Sequence, residues 1–140
     1  MNARTVHMAL RGTSAALAVL AAAQVLLAGS FLSGHYAVLR WHMIAGFSMV
    51  VLALLQAVLV FLPGRRERPP SLAREGVILP VVLAAQGVLG VFRILELHVP
   101  IGVLMAVGAA HGAVWAWRTP LPAAKRKAGT QAAETQAVAA

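Results

Sequence analysis

The feature that most constrains this chain is where its charges are missing. No Asp, Glu, Lys or Arg falls between Arg11 and Arg40, between Arg40 and Arg65, or between Glu75 and Arg93. Only Glu96 interrupts the stretch from Arg93 to Arg118. Four apolar segments result, roughly 13–32, 41–62, 77–97 and 99–117. Each has about the 20 residues that a helix needs to cross a ~30 Å hydrocarbon layer. A chain of 140 residues, 60% of them hydrophobic, has too little surface to hide four such helices in water. The pattern predicts an all-α fold, a four-helix transmembrane bundle.

The formal charge of +8 suggests a nucleic-acid binder, but its placement argues otherwise. Arg4 and Arg11 precede the first segment, and Arg65, Arg66, Arg68 and Arg74 lie between the second and third. Arg118, Lys125, Arg126 and Lys127 follow the fourth, so only Arg40 and Arg93 fall on the other side. The positive-inside rule then predicts a multi-pass protein of the bacterial inner membrane, with both termini and the 63–76 loop cytoplasmic. The charge is a topology signal; membrane lipid is the expected partner, anionic headgroups included, and nucleic acid is not. The first apolar run follows its arginines as a signal peptide would, but it is long for a signal's apolar core and reads as a retained span. There is no cysteine, which excludes disulfides, iron–sulfur clusters and thiolate ligands.

The stretch PGRRERPPSLARE (63–75) holds three prolines and six charges and reads as a connector outside the lipid. The links on the opposite side, near 33–40 and 96–99, are very short, which makes two antiparallel hairpins. Residues 1–120 form the membrane domain, and the small polar residues of 121–140 read as a flexible cytoplasmic tail.

The hairpins also look like copies. Residues 42–49 read HMIAGFSM and residues 98–105 read HVPIGVLM, both H-x-x-x-G-x-x-M. Upstream of them stand QVLLAG from Gln24 and QGVLG from Gln86. The Gln-to-His spacing is 18 residues in the first half and 12 in the second, so a duplication requires a six-residue difference, expected in the outer link. Repeats that both run in–out–in are related by a pseudo-two-fold along the membrane normal, which sets His42 and His98 at one depth near the outer face.

On a helix, offsets of four and seven return to nearly the same face. His42, Gly46, Met49 and Gln56 therefore share one stripe, and His98, Gly102, Met105 and Gly112 share its counterpart. Polar residues inside a span face the bundle interior. Two inward imidazoles at one depth are what a six-coordinate haem iron requires. Gly46 and Gly102 would make room for the macrocycle, and Met49 and Met105 would supply polarizable contacts at its edge. Arg40 and Arg93, the outer basic residues, are placed to pair with haem propionates; the alternative for Arg93 is an ion pair with Glu96 three residues on. The plainer reading of the same pattern is helix packing, in which small residues four apart seat neighbouring helices. No inner carboxylate or cysteine completes a zinc or copper site. His111 lies about 20 Å deeper than His98 by helical rise and on another face, which suits packing or hydrogen bonding. Trp41, Trp115 and Trp117 read as membrane-interface residues. Gln24 and Gln86 are candidates for interhelical hydrogen bonds that orient the histidines.

The segment QGVLGVFRILELHVPIGVLM (86–105) resembles the Q-G-x-L-G segment and following H-x-x-x-[GA] helix of the haem A synthase family. The resemblance covers roughly residues 13–117 and implies one four-helix half of that two-bundle architecture. It is similar as well to small bacterial four-helix membrane proteins with paired histidines. Carried over, the matched haem ligands are His42 and His98, and Gln86, Leu89 and Gly90 match the third-helix motif. The family's glutamate a turn before the first histidine has no counterpart among Val38, Leu39 and Arg40, and the second bundle is missing. The resemblance therefore implies haem binding more than catalysis. If the chain is an enzyme, it is a haem-modifying oxidoreductase acting as a homodimer.

The leading expectation is thus a haem b-binding membrane protein, ligated by His42 and His98 as metal ligands, for electron transfer or haem handling. The competing one is a cofactor-free membrane interaction protein, an accessory subunit of a larger membrane complex.

Overall fold

The computed structural model describes residues 3–61 and 70–120, which form four helices and no strand. Helix α1 spans Ala3–Leu32, α2 Leu39–Phe61, α3 Pro70–Val91 and α4 Leu95–Arg118, with a short 3₁₀ turn at Tyr36–Val38. All four are long and apolar enough to cross a membrane. Even α3, the shortest at 22 residues, is about 33 Å long at 1.5 Å per residue.

The helix ends differ from the sequence expectation in two places. Residues 70–75, assigned to the connector, begin α3, and Pro70 stands at its first position, where a missing N–H is not needed. The second outer link lies at 92–94 rather than 96–99, so α3 ends earlier and α4 starts earlier than hydropathy implied. Hydropathy averages over a window, whereas a helix stops where its carbonyls are captured. The rest of the connector and the 121–140 tail fall outside the described residues.

Both short links are built on one device. At the end of α1, the His35 N–H donates to the Ser30 carbonyl (3.1 Å) and the Gly34 N–H to that of Phe31 (3.0 Å). At the end of α3, the Ile94 N–H donates to Leu89 (2.9 Å) and the Arg93 N–H to Gly90 (3.1 Å). These are paired six-to-one and five-to-two bonds, the Schellman closure of a helix. The reversing residue is left-handed in each, Gly34 at φ 94° and Arg93 at φ 57°. For glycine this is free; for arginine it costs about 1–2 kcal/mol. The shared turn also accounts for the spacing difference between the repeats. Gln24 precedes its left-handed residue by ten positions and Gln86 by seven, while His42 follows its own by eight and His98 by five. Half the offset therefore lies in α1, and half corresponds in length to the 3₁₀ turn.

Packing is uneven around the bundle. Helix α1 packs along α2 and α4, and α2 along α3, while the α3–α4 seam is the loosest. The core is a single layer of Leu17, Ala21, Met49, Ala53 and Leu83, with Met105, Ala106 and Ala109 of α4 against its edge. Ala21 and Ala53 let α1 and α2 approach closely, which is how helices associate where lipid removes the hydrophobic drive. Helix α4 contributes no fully buried residue.

At the opposite end from the short links, Arg11 crosses from α1 to the end of α4. Its guanidinium donates to the carbonyls of Ala116 (3.0 Å), Trp117 (3.2 Å) and Thr119 (2.6 Å), and lies 5.5 Å from the Trp117 ring centre. Those are the orphan acceptors of a helix C-terminus, and a cation there also meets the favourable end of the helix dipole. Trp117 is thus engaged by an arginine as well as lying at the bundle's edge. Deeper in, Gln56 Nε2 donates to the buried Ser14 hydroxyl (3.2 Å).

Candidate cofactor site

The two H-x-x-x-G-x-x-M histidines meet. His42 on α2 and His98 on α4 are half-buried, with ring centroids 6.1 Å apart and planes inclined at 68°. They come from helices on opposite corners of the bundle, so only their depth and inward direction bring them together. Two imidazole nitrogens each about 2 Å from one metal ion, on opposite sides of it, set ring centroids roughly 6 Å apart. The separation therefore suits axial ligation of a single iron.

Each histidine carries a glutamine and a glycine with it. The His98 Nδ1 lies 3.0 Å from the Gln86 carbonyl. A carbonyl only accepts, so Nδ1 carries the proton and Nε2 keeps the lone pair, the tautomer a metal ligand needs. Gln86 closes the exchange by donating from its side-chain Nε2 to the His98 carbonyl. The ring of His98 lies against Gly90 of α3, where a Cβ would stand 2.9 Å from Cε1 and 3.2 Å from Nδ1. Gln86 and Gly90 are four apart on α3 and so share a face. The Q-G-x-L-G segment is thus a cradle for one histidine.

The other half repeats this in part. The Gln24 carbonyl faces His42 and acts on it as a weak acceptor, but the buried His42 Nδ1 has no partner at full hydrogen-bond geometry. Gly46 and Gly102 are used in a way the sequence reading did not anticipate. A Cβ on Gly46 would meet Gln24 Nε2 at 2.7 Å, and one on Gly102 would meet Gln86 Nε2 at 2.9 Å. Both glycines seat a glutamine amide one turn deeper than the histidine. The glutamine itself was legible as an orienting group; the glycine beneath it was not, because an interhelical seat has no signature within one helix.

The remaining candidates lie elsewhere. Met49 is 6% exposed and belongs to the hydrophobic core, and Met105 packs on that core's edge. Arg40 and Arg93 are exposed near the histidine end, and among the described residues neither has an ion-pair partner, so the expected Arg93–Glu96 pair does not form. His111 is exposed on the outside of α4 and makes no hydrogen bond among the described residues, against the packing role assigned to it. His35 is exposed in the first link.

The donor set narrows the chemistry. Among the described residues no three His, Cys, Asp or Glu side chains converge. What it assembles is two imidazoles facing one another, with three buried polar atoms around them that lack partners: Gln24 Oε1, Gln86 Oε1 and His42 Nδ1. Buried polar groups are rarely left in that state. Two imidazoles at this separation could hold a metal-centred cofactor between them. Comparison with known families, characterised proteins and solved structures yields no match for this chain.

Proposed function

We propose that this chain is a haem b-binding protein of the bacterial inner membrane, ligated by His42 and His98, serving electron transfer or haem handling. The observation that carries the reading is the 6.1 Å pairing of two histidines drawn from opposite helices by a repeated motif. Packing alone does not require imidazoles there, because a charged or polar ring inside the hydrocarbon region is costly without a ligand. Bundle interiors commonly house cofactors between facing helices.

His42 and His98 would hold the haem, which when bound would supply a one-electron couple. The chain's own residues do the rest. His98 is oriented by Gln86 and Gly90, and His42 faces it from α2. Arg40 and Arg93 stand exposed at the same end, where propionates would emerge. The inner-membrane orientation is supported by the described basic residues Arg4, Arg11, Arg74 and Arg118, which lie at the helix ends opposite the two short links.

The test is spectroscopic. Protein purified from haem-replete cells should show a Soret band, sharp α and β bands on reduction, and loss of the low-spin spectrum in both His42→Ala and His98→Ala. A colourless protein that takes up no haem would end this reading. A reporter active only outside the cytoplasm should work when fused near residue 36 and stay silent near residue 68; activity at 68 would invert the orientation.

A second reading, an accessory subunit of a larger membrane complex, is favoured by α4. That helix buries no residue in the bundle and turns His111 outward. A colourless protein that co-purifies stoichiometrically with another membrane protein would favour it.

A further inference from the structure

The two histidines are not equivalent, and the difference lies around them rather than in them. His98 is held on two sides: its Nδ1 donates to the Gln86 carbonyl at 3.0 Å, and its ring rests on Gly90, with no space there for even a methyl group. His42 is held less closely. Its Nδ1 has only the weak approach of the Gln24 carbonyl, short of full hydrogen-bond geometry, and no glycine of the neighbouring helices is pressed against its ring.

We infer that His98 is the fixed ligand of the site and His42 the exchangeable one, so that the iron opens on the α2 side to a small neutral ligand of the carbon monoxide class. The inference rests on the haem reading above. A hydrogen bond to the far nitrogen of a ligating histidine fixes its orientation and raises its basicity, and removing such a partner typically lowers metal affinity by about 10–100-fold. Gln86 and Gly90 are positioning residues in this account, acting on the iron through His98. Gln24 is a partial copy whose carbonyl reaches His42 only weakly. Releasing His42 would therefore give up the weaker contact, whereas releasing His98 requires the well-formed Gln86 hydrogen bond to be overcome as well. The duplicated motif would thereby have become an asymmetric site, with one anchored and one yielding side.

The experiment titrates haem b into the full-length protein and its variants in detergent and then adds carbon monoxide to the reduced forms. His42→Ala should keep haem as a five-coordinate species, bind it about 10–100-fold more tightly than His98→Ala, and take up carbon monoxide faster than the wild-type protein. Gly90→Ala, whose methyl group would strike the His98 ring, should lower haem affinity toward that of His98→Ala. Gly87→Ala, with nothing within 4 Å of the added carbon, should behave as wild type. Free imidazole added to His98→Gly should restore the low-spin spectrum, separating a lost ligand from a lost fold. If His98→Ala does not fold, the Gly90→Ala and Gly87→Ala pair decides alone. Equal haem affinity in the two alanine variants, or tighter binding by His98→Ala, would overturn the inequality while leaving a haem protein. A wild-type protein that binds no haem would remove the haem reading and this inference together.

Discussion

The first hairpin, α1–α2, and the second, α3–α4, carry the same motif and end their odd-numbered helices in the same closure, yet they are built for different ends. The first is packed: Leu17, Ala21, Met49 and Ala53 supply four of the five residues of the core cluster. The second is open along its seam and supplies one, Leu83. The order reverses at the histidines, where the second hairpin holds His98 by a hydrogen bond and a glycine wall and the first holds His42 only by the weak approach of the Gln24 carbonyl. A repeat that has split its duties in this way keeps rigidity where the helices must pack and precision where a ligand must point. The comparison can be broken at several positions.

The largest effect is expected at the two motif methionines. Met49 is buried in the core, so Met49→Ala should cost about 2–4 kcal/mol by leaving a cavity. Met105, on the core's margin, should cost distinctly less. Melting of helical circular dichroism in detergent measures both, and equal losses would deny the two hairpins their different roles. If the methionines instead serve as contacts to a bound macrocycle, both substitutions should lower haem affinity alike.

Next come the paired glycines. Gly102→Leu should displace the Gln86 amide from the His98 carbonyl and weaken haem binding by roughly 10–100-fold, as loss of an orienting partner does. Gly46→Leu displaces only Gln24, whose carbonyl holds His42 more weakly than Gln86 holds His98, and should weaken binding less. Haem titrations of the two variants would contradict the comparison if Gly46→Leu proved the more damaging.

The smallest effect separates the two turns. Gly34→Ala places a side chain at φ 94° and should destabilise by about 1 kcal/mol. Arg93→Gly relieves φ 57° and should stabilise the apo protein by a similar amount, about 1 kcal/mol. Stabilisation of the apo protein together with a fall in haem affinity would mean that Arg93 retains its strained conformation for a propionate. An unchanged haem affinity would assign it to the turn alone.

How much of this was legible in the sequence follows from the range of each signal. The four helices were visible because charge is excluded from about 20 consecutive residues in a span, a pattern that survives any local accident. Their ends were misjudged near Pro70 and Arg93, because closure depends on which N–H reaches which carbonyl and not on apolar content. The meeting of His42 with His98 was legible because a repeated spacing places both at one depth. The seats of Gly46, Gly90 and Gly102 were not, since each is defined by a side chain from a neighbouring helix. His111 reads from the sequence as a packing or hydrogen-bonding residue on another face than His98, and it is exposed. The rule that polar residues avoid lipid describes an average cost, and α4 lies on the bundle's loosest side, where facing away from its neighbours is sterically free.

The most direct measurement of the central claim is electron paramagnetic resonance of the oxidised, haem-loaded protein. Two axial imidazoles with planes 68° apart should give the strongly anisotropic low-spin signal of near-perpendicular ligands, dominated by one feature at high g. His42→Ala should convert it to the high-spin signal of a five-coordinate iron, with His111→Ala and His35→Ala leaving the wild-type signal intact. A low-spin signal that survives unchanged in both His42→Ala and His98→Ala would contradict the assignment of these two residues as the ligands.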